Sequence, residues 1–298
     1  MAANYMALIT CHTHAIIKWS GVVSADWHKE LPVHPLVPRY LRSDADKMPV
    51  LLKLDELSDA QIEQFCLNLE VAAENPRLHL LSCLLDVSPE TSTGSLVFHL
   101  AEKLLLNGFR PKGQKLLLYY YRSKAFLLLR RVFSPEQLCQ FYGPVQSWTV
   151  PFQNEWMSFP PPQATGVVPE LWMASDGQVQ RIQRIGPINE VLGRQMKETN
   201  QRWESLDDFY ADAEKIDRIL VCAEQNYHLR DDDDLLVFAE HALKNGEHFH
   251  WHPMIQERLQ VVAQQGWGYA QASAKLTEDD WKKIALSNNH TNESQHGH

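Results

Sequence analysis

The fold class is decided by residues 48–85, which read MPVLLKLDELSDAQIEQFCLNLEVAAENPRLHLLSCLL. Two apolar runs, 48–54 and 78–85, flank a segment whose apolar side chains recur at helical spacing, so the pattern predicts a strand, a helix and a second strand. Ser58 and Gln61 can form a capping box at the start of this helix. Because apolar strands separated by helices are covered on both faces, we expect them to belong to a mostly parallel sheet.

The alternation of apolar and amphipathic segments continues to residue 142. A helix from about Ser95 to Asn107-Gly108 is followed by a predicted strand at Lys115–Tyr121 and a Leu-rich helix at Lys124–Val132. The next helix opens at Ser134-Pro135-Glu136-Gln137, where a capping box combines with proline at the first helical position. The sequence therefore predicts an α/β fold whose N-terminal lobe, residues 1–150, holds a mostly parallel sheet flanked by helices.

A change in composition after residue 150 predicts a boundary there. Proline-rich sequence at 159–162 interrupts the periodicity, and we interpret residues 151–185 as a linker followed by a β-hairpin that turns at Ser175-Asp176-Gly177-Gln178. Helical periodicity then predicts a mainly α-helical C-terminal lobe over 186–286. Residues 287–298 are polar and predict a disordered tail.

Charge and composition exclude several classes of partner. The 298 residues carry 28 Lys+Arg against 37 Asp+Glu, for a net charge of −9, which disfavours nucleic acid. No apolar run is long enough to span a bilayer, and the N-terminus lacks the features of a signal peptide, so we expect a cytoplasmic protein with no membrane partner. The five cysteines are scattered, which favours reduced thiols over disulfides: Cys11, Cys66, Cys83, Cys139 and Cys222.

Two loops superficially resemble ligand sites. Residues 108–115 have glycines at the spacing of a phosphate-binding loop, but Gln114 stands where the essential lysine belongs, so we predict no nucleotide cofactor. The acidic run Asp231 to Asp234 precedes an apolar helix, and capping of that helix is the favoured interpretation. Signature motifs of hydrolases, metalloproteases and dinucleotide-binding enzymes are absent from the sequence. We expect that the protein is not an enzyme, although the absence of local motifs does not by itself exclude catalytic groups assembled from distant positions.

The best candidate for a metal site is an alternating segment in which His248, His250 and His252 are separated by Phe249 and Trp251. In a strand, the three imidazoles would lie on one face and could bind a transition metal. The segment lies between two predicted helices and has no attached cysteine or carboxylate pattern. A loop that uses these rings for packing or partner contact is the favoured interpretation, and no metal is predicted.

One stretch carries a resemblance to a known family. Residues 117–148 read LLYYYRSKAFLLLRRVFSPEQLCQFYGPVQSW, which resembles the signature segment of the effector chaperones, or adaptors, of type VI secretion systems. The resemblance extends over about 47–150, and Arg122-Ser123 stands where the family commonly has Asp-Pro. We interpret the matching motif residues as structural: Tyr119, Tyr121, Pro135, Gly143, Pro144 and Trp148.

The resemblance implies a bacterial cytoplasmic adaptor that binds one type VI effector and delivers it to the VgrG spike or its PAAR tip. Such a protein needs an aromatic binding surface, and we predict that Trp156, Phe159, Phe249 and Trp251 contact the effector because they lie near helix breakers. Two alternatives stay open. One is an immunity protein that binds a toxin, and the other is a metal-assisted hydrolase that uses the three histidines with Asp231.

Overall fold

The computed structural model describes residues 5–18, 31–73, 80–108, 115–200 and 202–295. The chain forms two compact units, residues 1–182 and residues 183–298. The segment after α2, 74–79, and the interior of the glycine loop, 109–114, lie outside the described residues.

The first unit combines helices with two β-sheets. Its described elements in chain order are α1 (Tyr5–Thr10), β1 (His14–Ile17), β2 (Val33–Pro35), a 3₁₀ segment (Arg39–Lys47), β3 (Val50–Lys53), a 3₁₀ turn (Leu54–Glu56), α2 (Asp59–Ala73), β4 (Leu81–Val87), α3 (Thr93–Lys103), β5 (Leu105–Gly108), β6 (Lys115–Leu117), α4 (Ser123–Val132), α5 (Pro135–Tyr142), β7 (Val145–Phe152), β8 (Glu155–Phe159), β9 (Met173–Ala174) and the start of α6 (Asp176–Thr199).

The main sheet is antiparallel, so the predicted mostly parallel sheet is wrong. Its strand order is β2-β3-β1-β4-β7-β8, and all neighbouring strands run in opposite directions. Because β3 and β4 are both antiparallel to β1, they run in the same direction, as expected for strands joined by α2. The strand β1 lies between them and converts an expected parallel pair into two antiparallel pairs.

The central strand β1 was not predicted from sequence because polar residues directly precede it. The Thr13 hydroxyl donates to the carbonyl oxygen of Leu85 at 3.0 Å and accepts from the amide of Val87 at 3.1 Å. The Nε2 atom of His12 lies 2.8 Å from the Thr149 hydroxyl. These polar side chains therefore connect the start of β1 to β4 and β7, although they make the local sequence look like a loop.

Both faces of the main sheet are covered, which explains its continuous apolar strands without parallel pairing. One face packs against α1 and α2 in a core that includes Ala15, Ile17, Leu52, Phe65, Leu69 and Leu84. On β7, Trp148 is fully buried against the rings of Tyr120, Phe126 and Phe141. An antiparallel sheet covered in this way has the same apolar pattern as a parallel one, so the pattern alone could not separate them.

The second sheet has the order β6-β5-β9, with β5 antiparallel to β6 and parallel to β9. Two corrections follow from it. Residues 105–108 form β5 instead of the end of the preceding helix, because their backbone pairs on both sides. The predicted strand at 115–121 ends at Leu117, and Tyr119 to Tyr121 lie in the following turn.

The predicted hairpin around residues 175–178 is also wrong. Its sequence caps α6 instead, because the Gln178 amide donates to the Ser175 hydroxyl at 3.3 Å and the Ser175 amide donates to Gln178 Oε1 at 3.0 Å. The same residue types favour a turn or a capping box, and tertiary contacts of Gln178 with α4 and α5 select the box. The boundary predicted at residue 150 falls inside β7, which pairs with β8.

The described elements of the second unit are helical: the remainder of α6, α7 (Leu206–Tyr227), α8 (Asp232–Asn245), a 3₁₀ turn (Phe249–Trp251), α9 (Pro253–Gln265), α10 (Tyr269–Ser273) and α11 (Glu278–Gln295). Ser205 caps α7 and, as predicted for the acidic run, Asp231 accepts a hydrogen bond from the Asp233 amide at the start of α8. The last helix includes residues 287–295 of the predicted disordered tail, because extending a helix already capped by Thr277 costs little. Residues 296–298 lie outside the described part.

Candidate partner-binding surface

The family-like segment forms the aromatic core of the first unit. Four rings surround Trp148 at centroid distances between 5.3 and 6.3 Å: those of Tyr120, Phe126, Phe141 and Tyr142. The hydroxyl of Tyr120 donates to the Leu100 carbonyl oxygen at 2.7 Å, which ties this core to α3. Tyr121 is buried and packs edge-on against Tyr120. Trp148 and Tyr121 therefore have structural roles.

The remaining turn residues of the motif also shape the backbone. Ser134 and Gln137 form the predicted capping box of α5, with Pro135 at its first position. Gly143 follows α5 with a φ of 54°, in the region that favours glycine. The carbonyl oxygen of Pro144 accepts from the Ser88 amide at 3.1 Å, which connects the end of α5 to the end of β4. These contacts connect α5 to the sheet.

Arg122, the departure from the family pattern, does not cap α4 with its side chain. Its guanidinium lies 4.7 Å from the ring centroid of Tyr119 instead. Tyr119 is 43% exposed, unlike the two tyrosines that follow it. The departure from Asp-Pro therefore replaces a potential helix cap with a cation against an exposed aromatic ring.

Two similar pairs lie nearby on the first unit. Tyr40 is 74% exposed, and the ammonium of Lys115 lies 3.0 Å from its ring centroid. Phe98 is 55% exposed, and the guanidinium of Arg39 lies 5.7 Å from its ring centroid. We call these three pairs the cationic aromatic surface: Arg39 with Phe98, Lys115 with Tyr40, and Arg122 with Tyr119.

Positions in the chain limit how far apart the three pairs can lie. Arg39 and Tyr40 are neighbours in the 3₁₀ segment, so the first two pairs share a backbone. Lys115 begins β6, and Tyr119 follows four residues later, at most about 13 Å away along an extended chain. All three cations are exposed. The surface thus presents aromatic rings beside positive charge on a chain whose net charge is −9.

Sequence analysis missed this surface because its members are far apart in the chain. One signal was present: Phe98 lies off the buried stripe of Leu96, Leu100 and Leu104 on α3. A single exposed aromatic ring is common on protein surfaces and becomes informative only as part of a larger exposed patch. No comparable signal marks Tyr40, since its pairing with Lys115 is tertiary.

The four residues predicted to contact a partner have different environments. Phe249 is fully buried and Phe159 is 8% exposed, so neither can contact a partner while the fold is intact. Trp156 is partly buried against the core of the first unit. Trp251 is 58% exposed and stacks on His248 at a centroid distance of 4.2 Å. Of the four, Trp251 alone presents a large exposed ring, and it belongs to the second unit.

The three histidines of the candidate metal site have separate structural partners. His248 stacks on Trp251, and His252 Nδ1 accepts from the Met254 amide at 3.3 Å to cap α9. His250 is buried, and its Nδ1 lies 2.7 Å from the Tyr227 hydroxyl. Across the described residues, no group of three or more histidine, cysteine or acidic side chains is arranged to hold a metal ion.

His250 also lies near a thiol, with its Nε2 atom 3.7 Å from Cys222 Sγ. Burial lowers the pKa of His250 to about 4 and raises the pKa of Cys222. A nucleophilic cysteine needs the opposite shift, towards thiolate. The pair is therefore neutral and is suited to packing. All five cysteines are free; Cys66 and Cys83 are buried as predicted, whereas Cys11 is exposed.

Comparisons with protein-family models, with curated proteins and with solved structures found no match to this chain. Among the described helices, none has both the length and the apolar content needed to cross a bilayer.

Proposed function

We propose that this protein is a cytoplasmic adaptor chaperone that binds a type VI secretion effector and presents it to the VgrG or PAAR spike. The observation that carries the proposal is the cationic aromatic surface, which exposes Tyr40, Phe98 and Tyr119 beside three cations. The sequence resemblance over residues 117–148 supplies the class of partner. This function requires binding and no chemical step.

The physical support comes from the composition of the surface. Aromatic rings and arginine are enriched at the energetically dominant positions of protein interfaces, because they bury a large area with little loss of conformational entropy. Exposed rings of this size cost free energy in water, and burial under a partner recovers about 25 cal/mol per Å² of apolar area. The adjacent cations favour a partner segment that carries acidic side chains.

The test is retention of the effector by the full chain in cells that carry both proteins. The variant Tyr40→Ser, Phe98→Ser, Tyr119→Ser should lose co-purification of the effector and should abolish its secretion. The matched control is Leu67→Ser, Val71→Ser, which removes two exposed apolar side chains from α2 in the same unit. The control should retain co-purification and secretion of the effector. The triple variant and the control should each melt within about 2 °C of the wild type, because substitutions at the surface change stability little.

Undiminished effector binding by the triple variant would overturn the assignment to this surface. Protection of cells from the toxic activity, with secretion unchanged when the gene is deleted, would replace the adaptor by an immunity protein.

A further inference from the structure

A buried lysine in the first unit has no acidic partner. Lys103 is the last residue of α3 and is 7% exposed. Its ammonium lies 4.4 Å from the ring centroid of Trp172, and among the described residues no carboxylate lies within ion-pair distance of it. The carboxylate of Glu102 interacts with the Lys103 ammonium only through a longer-range electrostatic attraction. The cation therefore lies against the ring of Trp172.

The indole that contacts Lys103 also has an unused donor. Trp172 is half-buried, and its Nε1 atom is buried with no acceptor in the described protein. The rings of Phe133 and Phe141 flank it at centroid distances of 5.0 and 6.0 Å. The ammonium and the indole N–H thus lie at the same aromatic ring, and within the described part of the chain neither has a protein acceptor.

This arrangement is costly without an anion. A buried cation is ordinarily paired, and a buried donor left without an acceptor costs about 1–3 kcal/mol. Burial lowers the pKa of Lys103 to about 8, because removing the ammonium from water destabilises its charged form. A negatively charged acceptor beside the ammonium would remove both penalties and would form charge-assisted hydrogen bonds.

We propose that Lys103 and Trp172 bind a carboxylate carried on an apolar or aromatic body. A single ammonium with one N–H donor matches a monoanion better than a phosphate dianion. The aromatic walls formed by Phe133 and Phe141 accommodate the apolar part. Leu171, next to the half-buried Trp172, is 69% exposed, so the site lies close to the surface. This site contains no member of the cationic aromatic surface, so the inference goes beyond the proposed function and does not depend on it.

The test is a titration of the full chain with 3-phenylpropionate and with 3-phenylpropanamide, which have the same body and differ in charge. The indole N–H signal of Trp172, assigned with Trp172→Phe, is followed by NMR. We expect a saturable shift with the carboxylate and none with the amide. N-acetylglycyl-phenylalanine, compared with its C-terminal amide, is the second arm. Tighter binding of this acid than of phenylpropionate would indicate a polypeptide C-terminus, and equal binding would indicate a free acid.

Lys103→Met should lower the affinity for the carboxylate about ten- to a hundredfold, the range expected for a charge-assisted hydrogen bond. The control Lys282→Met removes an exposed lysine of the second unit and should leave the affinity unchanged. If Lys103→Met does not fold, Trp172→Phe followed by calorimetry decides instead, because it keeps an aromatic ring and removes the N–H together with the five-membered ring of the indole. Equal responses to acid and amide, no saturable response, or full affinity in a folded Lys103→Met variant would each overturn the proposal.

Discussion

The imidazole of His99 lies directly against the α-carbon of Gly143, so that a side chain at position 143 would overlap the ring. The Nε2 atom of His99 donates to the Phe141 carbonyl oxygen at 2.8 Å, which fixes the ring in this place. The contact joins α3 to the end of α5. Glycine is therefore required for two independent reasons, the close ring and the positive φ.

Gly143→Ala should destabilise the first unit by about 2–4 kcal/mol, because it adds backbone strain to an overlap with His99. The control is Gly94→Ala in α3, where an added Cβ meets nothing within 4 Å. It should be neutral or stabilising, since alanine favours a helix. Urea unfolding of both variants measures the difference, and equal stability would contradict the close contact.

Phe249 and Trp251 should respond very differently to truncation, although only His250 separates them in sequence. Phe249→Ala empties a fully buried position beside Phe238 and should cost about 3–5 kcal/mol. Trp251→Ala removes an exposed ring and should cost under about 1 kcal/mol. Thermal melting followed by circular dichroism distinguishes them, and a large loss for Trp251→Ala would show that this ring stabilises the fold.

Arg184 should contribute strongly to the stability of the second unit. Its side chain is 7% exposed and donates to Asp217 at 2.6 Å and to Glu224 at 3.1 Å. Arg184→Ala leaves two partly buried carboxylates without a cation and should cost about 2–4 kcal/mol. Arg218→Ala breaks the exposed pair with Glu247 and should cost less than about 1 kcal/mol. The measurement is the denaturant midpoint of each variant. Similar midpoints for the two variants would contradict a special contribution of Arg184 to stability.

Acid should destabilise the second unit through His241 and His250. Burial lowers the pKa of each imidazole to about 4, below the ordinary value of 6.5. The unfolded chain therefore binds protons at a higher pH than the folded chain, so stability is full above about pH 6.5 and falls as the pH drops towards 4. His250 is buried with its Nδ1 atom 2.7 Å from the Tyr227 hydroxyl, and protonation would place a positive charge in this buried environment.

The measurement is urea unfolding between pH 7 and pH 4.5. His250→Gln should show a smaller loss over this range than the wild type, even if it is less stable at pH 7. His252→Gln is the control at a half-buried helix cap and should keep the wild-type slope. An unchanged slope for His250→Gln would mean that another group causes the acid response.

The parts of the fold that were predictable from sequence are those fixed by neighbouring residues. The capping boxes at Ser58 and Ser134, and the Ser205 cap, form between residues three apart in the chain, so their pattern contains the whole interaction. The helices that they start were predicted correctly for the same reason. Helices were therefore predictable where a hydrogen bond between residues close in sequence fixes their first turn.

Strand pairing was not predictable, because it depends on contacts between distant residues. The short strand β1 has four buried residues, too few for a reliable pattern, yet it determines the direction of every pairing near it. The candidate surface has the same difficulty. Tyr40 and Lys115 are remote in sequence, and neither residue alone distinguishes a binding surface from an ordinary exposed position.

The position of β1 has a practical consequence for shortened versions of the chain. Removing residues 1–18 would take away the strand that joins β3 to β4 and would leave two facing rows of backbone groups without hydrogen-bond partners. Such a fragment should associate with other copies through these open edges. A peptide with the sequence of residues 5–18, supplied separately, should restore the monomer by occupying the gap between them.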